Sequence, residues 1–113
     1  MSDSPLSPED IDYFTGHYSG LLAYAIAQRI GWPVVYYSIP GEKRWRAASV
    51  ESPTGVEFDA RGAVERENDY GRRIASAAQM ELLRSYYEQT TVRARIDAAA
   101  DAMCQFLEPG FGQ

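Results

Sequence analysis

One histidine, one cysteine and a scatter of serines and carboxylates set the chemistry open to this chain of 113 residues. His17 stands in the stretch Thr15-Gly16-His17-Tyr18-Ser19-Gly20, directly ahead of the apolar run Leu21 to Ile30. A helix N-terminus suits nucleophilic chemistry, because its dipole and free N–H groups lower a thiol pKa and stabilise an oxyanion. The set that could work here is His17 as base, Ser19 as nucleophile and Asp59 as the group orienting the base, giving a hydrolase or acyltransferase. The competing reading is structural. Ser19 is a good helix cap, His17 can bond loop backbone, and residues two apart in a tight loop need not face each other. Cys104 lies beside Met103 and near Phe106 in an apolar helical pattern, and reads as a small core residue. A lone histidine among scattered carboxylates offers no ligand spacing, so no metal is expected. Gly16-x-x-x-Gly20 lacks the lysine of a phosphate-cradling loop, and no cofactor is expected either.

Aromatic residues point to a different use. Tyr13, Tyr18, Tyr36, Tyr37, Trp45, Tyr70, Tyr86 and Tyr87 cannot all be central core in so small a domain. Tyrosine, tryptophan and arginine are enriched at interface hot spots. Tyr18, Tyr36, Trp45, Arg46 and Arg61 are therefore the candidate binding residues, with Arg72 and Arg73 as further partners for carboxylates. Taken one at a time, a tyrosine straddling core and surface with its hydroxyl in water explains each as well. The net charge of −5 argues against nucleic acid, whose affinity comes from cations on phosphates, and fits a protein partner with a basic surface.

The elements that must position these residues follow from the pattern. Ser7, with Pro8 at the first helical position, marks a short helix carrying Ile11 and Phe14 inward, after a flexible N-terminal arm over 1–9. Leu21, Leu22, Ala25, Ile26 and Ile30 give a central helix apolar nearly all round, stopped by Gly31 and Pro33. Val34 to Ile39, Trp45 to Glu51 and Val56 to Ala60 read as three strands of an antiparallel meander, joined by a charged turn and by Ser52-Pro53-Thr54-Gly55. Burial sets an expected register of Val50 opposite Val56, Ala48 opposite Phe58 and Ala47 opposite Asp59. Arg61 to Arg73 is a long polar connection with a short strand or turn near Ala63-Val64. Ser76 and Gln79 form a capping box for a helix with Met80, Leu83 and Tyr87 inward, ending near Gln89. A last helix carries Val92, Ile96, Ala99, Met103 and Phe106 and stops at Pro109-Gly110. The expected class is α+β in a single domain, 1–113.

Four segments carry a resemblance: Gly16-His17-Tyr18-Ser19-Gly20, Gly31-Trp32-Pro33, Ser52-Pro53-Thr54-Gly55 and Phe58-Asp59-Ala60-Arg61-Gly62. Together they resemble small bacterial and phage proteins with a papain- or transglutaminase-like core, over less than half the chain. The resemblance implies a Cys-His-Asp triad for acyl transfer or amide hydrolysis. Here the cysteine position is Tyr18 and the histidine position is Ala47; only Asp59 remains. What the resemblance implies is a degenerate scaffold, and the leading expectation is a non-catalytic protein-binding module. Size and acidity then suit an inhibitor, of the kind a phage encodes against a host defence system. Hydrolysis by His17, Ser19 and Asp59 is the alternative, and homodimerisation through the tyrosine-rich C-terminal helices is a third.

Location follows from what the sequence lacks. Met1 to Asp12 has no basic and no apolar region of a signal peptide, and the longest apolar run is far below the roughly 18 residues of a membrane span. One cysteine excludes an internal disulfide. A cytoplasmic protein without a membrane partner is expected.

Overall fold

The computed structural model describes residues 4–15, 18–38, 45–64 and 72–111, leaving the side chains at 38, 45, 46 and 108–111 outside the description. Among these residues the chain runs α1 (Pro8–Thr15), α2 (Ser19–Ile30), β1 (Val34–Ser38), β2 (Trp45–Glu51), β3 (Glu57–Asp59), β4 (Gly62–Val64), β5 (Arg72–Ile74), α3 (Ala77–Gln89) and α4 (Arg93–Phe111). The class is α+β, as the sequence indicates. The sheet has five antiparallel strands in the order β4-β3-β2-β1-β5: beyond the expected three-stranded meander there is β4, where the sequence allows a short strand or turn near Ala63-Val64, and β5, which the sequence reading leaves in the polar connection. The two extra strands have three residues each, too short for alternation to declare itself.

The central helix forms for the expected reasons. Leu22 to Ala27 are all buried, because the sheet lies on one side of α2 while α3 and α4 close the others. Gly31 ends it in the left-handed region (φ 77°), its N–H bonding Ala27 O at 2.8 Å. Arg29 then ties α2 to α4 through Asp97 (3.4 Å) and Asp101 (2.7 Å). In α1, the Ser7 hydroxyl accepts the Asp10 N–H at 3.2 Å, and Phe14 reaches the core with no exposure. Of the expected arm, residues 1–3 lie outside the described residues; Ser4 Oγ donates to Ala60 O at 2.5 Å and Leu6 packs on the core.

Alternation sorts the sheet into two faces. Val34, Tyr36, Ala48, Val50 and Phe58 join the helices in one core, with Ile96, Ala99, Met103 and Leu107 from α4. Val35, Tyr37, Ser49, Glu51, Glu57 and Arg72 belong to the other face.

The β2–β3 register differs from the expected one by two residues: Val50 pairs with Phe58 and Glu51 with Glu57. The turn chemistry decides this. Ser52 and Val56 close the hairpin (Ser52 N–H to Val56 O, 2.8 Å), leaving a three-residue loop. Gly55 N–H bonds Ser52 O at 2.9 Å, and Gly55 takes φ 86°, which glycine adopts at no steric cost. Val56 is consequently an exposed loop residue, at 36 %.

Helix α3 starts with the full capping box: Ser76 Oγ accepts the Gln79 N–H (3.2 Å) and Gln79 Oε1 accepts the Ser76 N–H (2.8 Å). Gln79 Nε2 also donates to the Tyr36 hydroxyl at 2.5 Å, pinning the helix start to β1. Ser76→Ala should lower the unfolding free energy by about 1 kcal/mol in urea titration. At the other end α4 runs through Pro109 to Phe111, past the expected stop. A proline so close to a helix terminus removes a single backbone bond from the final turn.

Candidate functional site

The foot of α2 does not carry the expected cap. The N-cap position is Tyr18, which makes no capping hydrogen bond, and Ser19 is the first residue of the helix proper. Ser19 makes no side-chain hydrogen bond among the described residues; His17 lies outside them. Tyr18 instead stacks on Tyr13 (centroids 4.9 Å, planes 18° apart). The Arg95 guanidinium, from the first turns of α4, lies 3.7 Å over the Tyr13 ring and bonds Asp10 at 2.9 Å. These contacts brace α1 against α4 across the loop, by stacking and cation–π attraction.

Asp59 is at the opposite end of the expected triad, and its carboxylate is already committed. Its Oδ1 accepts the Arg61 backbone N–H at 2.8 Å, and its Oδ2 takes Arg61 Nη2 at 2.7 Å. The sequence Asp59-Ala60-Arg61-Gly62 is thus a self-contained hairpin turn: the aspartate caps it, and Gly62 supplies φ 96° where β4 begins. The observed register also separates Asp59 from Ala47, the residue set opposite it in the sequence reading. Continued by one step, the β2–β3 pairing places Asp59 level with Ser49.

The remaining candidate binding residues are placed as follows. Tyr36 is buried at 8 % exposure with its hydroxyl bonded to Gln79, and Arg61 is at the β3–β4 turn. The Trp45 and Arg46 side chains lie outside the described residues.

The polar face holds a cluster that the sequence reading missed. Glu57, at 3 % exposure, accepts hydrogen bonds from the Tyr37 hydroxyl (2.8 Å), Ser49 Oγ (2.9 Å) and Arg72 Nε (3.1 Å). Glu51 stands directly opposite it in the ladder, a like-charge pairing that alone would be destabilising. Arg72 resolves the conflict by bonding both, with Nη2 at 2.5 Å from Glu51 Oε2. To do so it reaches from β5 past β1 to Glu51 of β2 and Glu57 of β3. Val35, on the face away from the helices, has no exposure. Burial alone would raise the Glu57 pKa, but the bonds from Tyr37, Arg72 and Ser49 outweigh it and hold the carboxyl below its ordinary 4.5. The Tyr37 phenol is pushed up, first by burial and then by its glutamate partner. An ionised, fully bonded glutamate has no proton to give and no free lone pair aimed at a substrate. The cluster is a clamp across four strands. Its signal in the sequence was the pair Glu51 and Glu57 at facing positions, hidden by the two-residue error in register.

Apolar side chains are exposed on the segment running from β5 into α3: Ile74 at 49 %, Leu82 at 52 % and Tyr86 at 55 %. Arg73 beside them has no carboxylate partner among the described residues, its Nη1 donating only to Arg72 O at 3.1 Å. Among the described residues no group of three or more histidines, cysteines or carboxylates could hold a metal ion, and no helix is long and apolar enough to cross a membrane. Cys104 is buried in the core at 8 %.

No protein-family model matches the chain, and neither a curated protein nor a solved structure matches it significantly.

Proposed function

We propose that this chain is a non-catalytic protein-binding module, built on a papain- or transglutaminase-like scaffold whose cysteine and histidine positions hold Tyr18 and Ala47. The observation that carries the reading is the exposed pair Leu82 and Tyr86 on α3, near Arg73 of β5, which has no carboxylate partner among the described residues. A leucine and a tyrosine exposed one helical turn apart, with an arginine near them, have the composition of an interface hot spot. The hydrolase alternative is weakened by Asp59, whose carboxylate is spent on its own hairpin. Small size and a net charge of −5 suit an inhibitor that occupies a basic surface, and a phage inhibitor of a bacterial defence protein is the narrower form of the proposal.

Affinity capture from bacterial lysate at two salt concentrations tests it, with wild type and the double variant Leu82→Glu/Tyr86→Glu as baits. A protein held by wild type and absent from the variant is expected. Recovery of no partner at either salt concentration would defeat the proposal, as would a hydrolytic activity that Ser19→Ala abolishes in a folded protein.

A further inference from the structure

The edge of the sheet at β5 has a definable hydrogen-bonding state. Ala75 N–H bonds Val34 O at 2.9 Å, so Ala75 and Val34 form a hydrogen-bonded pair of the antiparallel ladder. Pairs of this type alternate with pairs whose backbone groups point away from each other. Arg73 with Tyr36 is therefore the next hydrogen-bonded pair, and Ile74, opposite Val35, turns its N–H and C=O outward from the sheet. Arg72 also faces outward, and its carbonyl is the one that accepts Arg73 Nη1. Ile74 is left presenting one donor and one acceptor, in register for another strand.

The flank of α3 completes the surface. Gln79 bonds the Tyr36 hydroxyl, so the side of α3 that carries Gln79 overlooks the Tyr36–Arg73 pair. Leu82 and Tyr86 follow Gln79 at i+3 and i+7, on that same side. An edge strand, an arginine with no carboxylate partner among the described residues and two exposed apolar side chains thus stand together.

We propose that β5 accepts as a sixth strand an extended segment of a partner protein that carries a carboxylate where it meets Arg73, a local exception on an otherwise basic partner surface; the inference rests on the protein-binding reading above. Backbone pairing to Ile74 supplies attachment, and side chains on alternate positions supply choice. A carboxylate on the incoming strand meets Arg73, and an apolar side chain two positions away covers Leu82 and Tyr86. A second copy of this chain is a poorer occupant. Two-fold pairing about Ile74 would set Arg73 near its own copy, and three half-exposed side chains per copy fall short of the roughly 1,000 Å² expected of a stable interface.

The test is a titration of ¹⁵N-labelled protein with a peptide of alternating glutamate and valine, and with its lysine–valine counterpart. Shifts centred on Arg73, Ile74, Leu82 and Tyr86 are expected, with the lysine peptide at least about tenfold weaker. Ile74→Pro removes an N–H that points outward and should weaken the glutamate peptide by about tenfold. Arg73→Glu, which leaves the backbone untouched, should reverse the preference between the two peptides. Equal binding of both peptides to wild type, or unchanged binding by both variants, would overturn the proposal. So would a concentration-dependent dimer in sedimentation that Ile74→Pro abolishes, since the edge would then belong to a second copy. The two readings fail separately. A lysate partner retained in full by Ile74→Pro defeats strand addition and leaves the binding module standing; no partner at all defeats the module.

Discussion

Glu57→Ala is expected to destabilise the fold by about 3–5 kcal/mol, the range for breaking a buried ion pair from one side. The loss is large because one carboxylate serves three donors. Removing it strands the Tyr37 hydroxyl and Ser49 Oγ and leaves the Arg72 guanidinium with Glu51 alone, in a site where Glu57 itself was 3 % exposed. Replacing the pair together, Glu57→Leu with Arg72→Met, should cost less, because neither of the two is left without the other, although Glu51 then loses its bond from Arg72.

The pH dependence has a definite sign. The Glu57 carboxyl titrates below its ordinary 4.5 in the folded protein, so the folded state binds fewer protons than the unfolded one in that window. Its contribution is complete above the ordinary value and disappears as the pH falls through the depressed one. Urea unfolding from about pH 6 to pH 3 should show wild type losing stability on acidification more steeply than Glu57→Ala. Parallel profiles for the two proteins would remove Glu57 as the source.

Phe14→Ala is the second large effect, at about 3–5 kcal/mol. Phe14 has no exposure although it belongs to an eight-residue helix near the start of the chain. Its ring packs edge-on to Tyr13 (5.0 Å, 88°), which in turn stacks on Tyr18. The cavity left by alanine would sit in the core shared by α1 and α2. Thermal unfolding should therefore show a lower midpoint and a single transition. An unchanged midpoint would mean that α1 is an appendage.

These two residues also show what the sequence made legible. Phe14 was readable, because Ser7 and Pro8 mark a helix start and helical spacing then points Phe14 inward. Gly31 and the Ser76–Gln79 box were readable for the same reason: each is a local device, complete within a few residues. Glu57 was not. Its importance depends on which residue of β2 it faces, and that is fixed by a three-residue loop closed between Ser52 and Val56. A shift of two keeps every side chain on its correct face, so the apolar pattern cannot detect it. Arg72 was visible as a cation that could pair with carboxylates, yet nothing local says that it crosses two strands to reach them. Ser19 illustrates the opposite failure. It has the right chemistry for a cap, but the helix begins one residue too early for it to serve.

The burial of α2 on every side has a consequence for how the chain is made. Its apolar ring, Leu22 to Ala27, is finished by Leu83 of α3 and by Ile96, Ala99, Ala100 and Met103 of α4, all far downstream. A nascent chain adds about 5–20 residues per second, so the ring leaves the ribosome seconds before its cover exists. During that interval α1 and the meander β1–β4 can shield part of it, and the side that α3 and α4 cover stays open. Truncation within α4 is therefore expected to leave an unfolded, protease-sensitive chain rather than a smaller folded form.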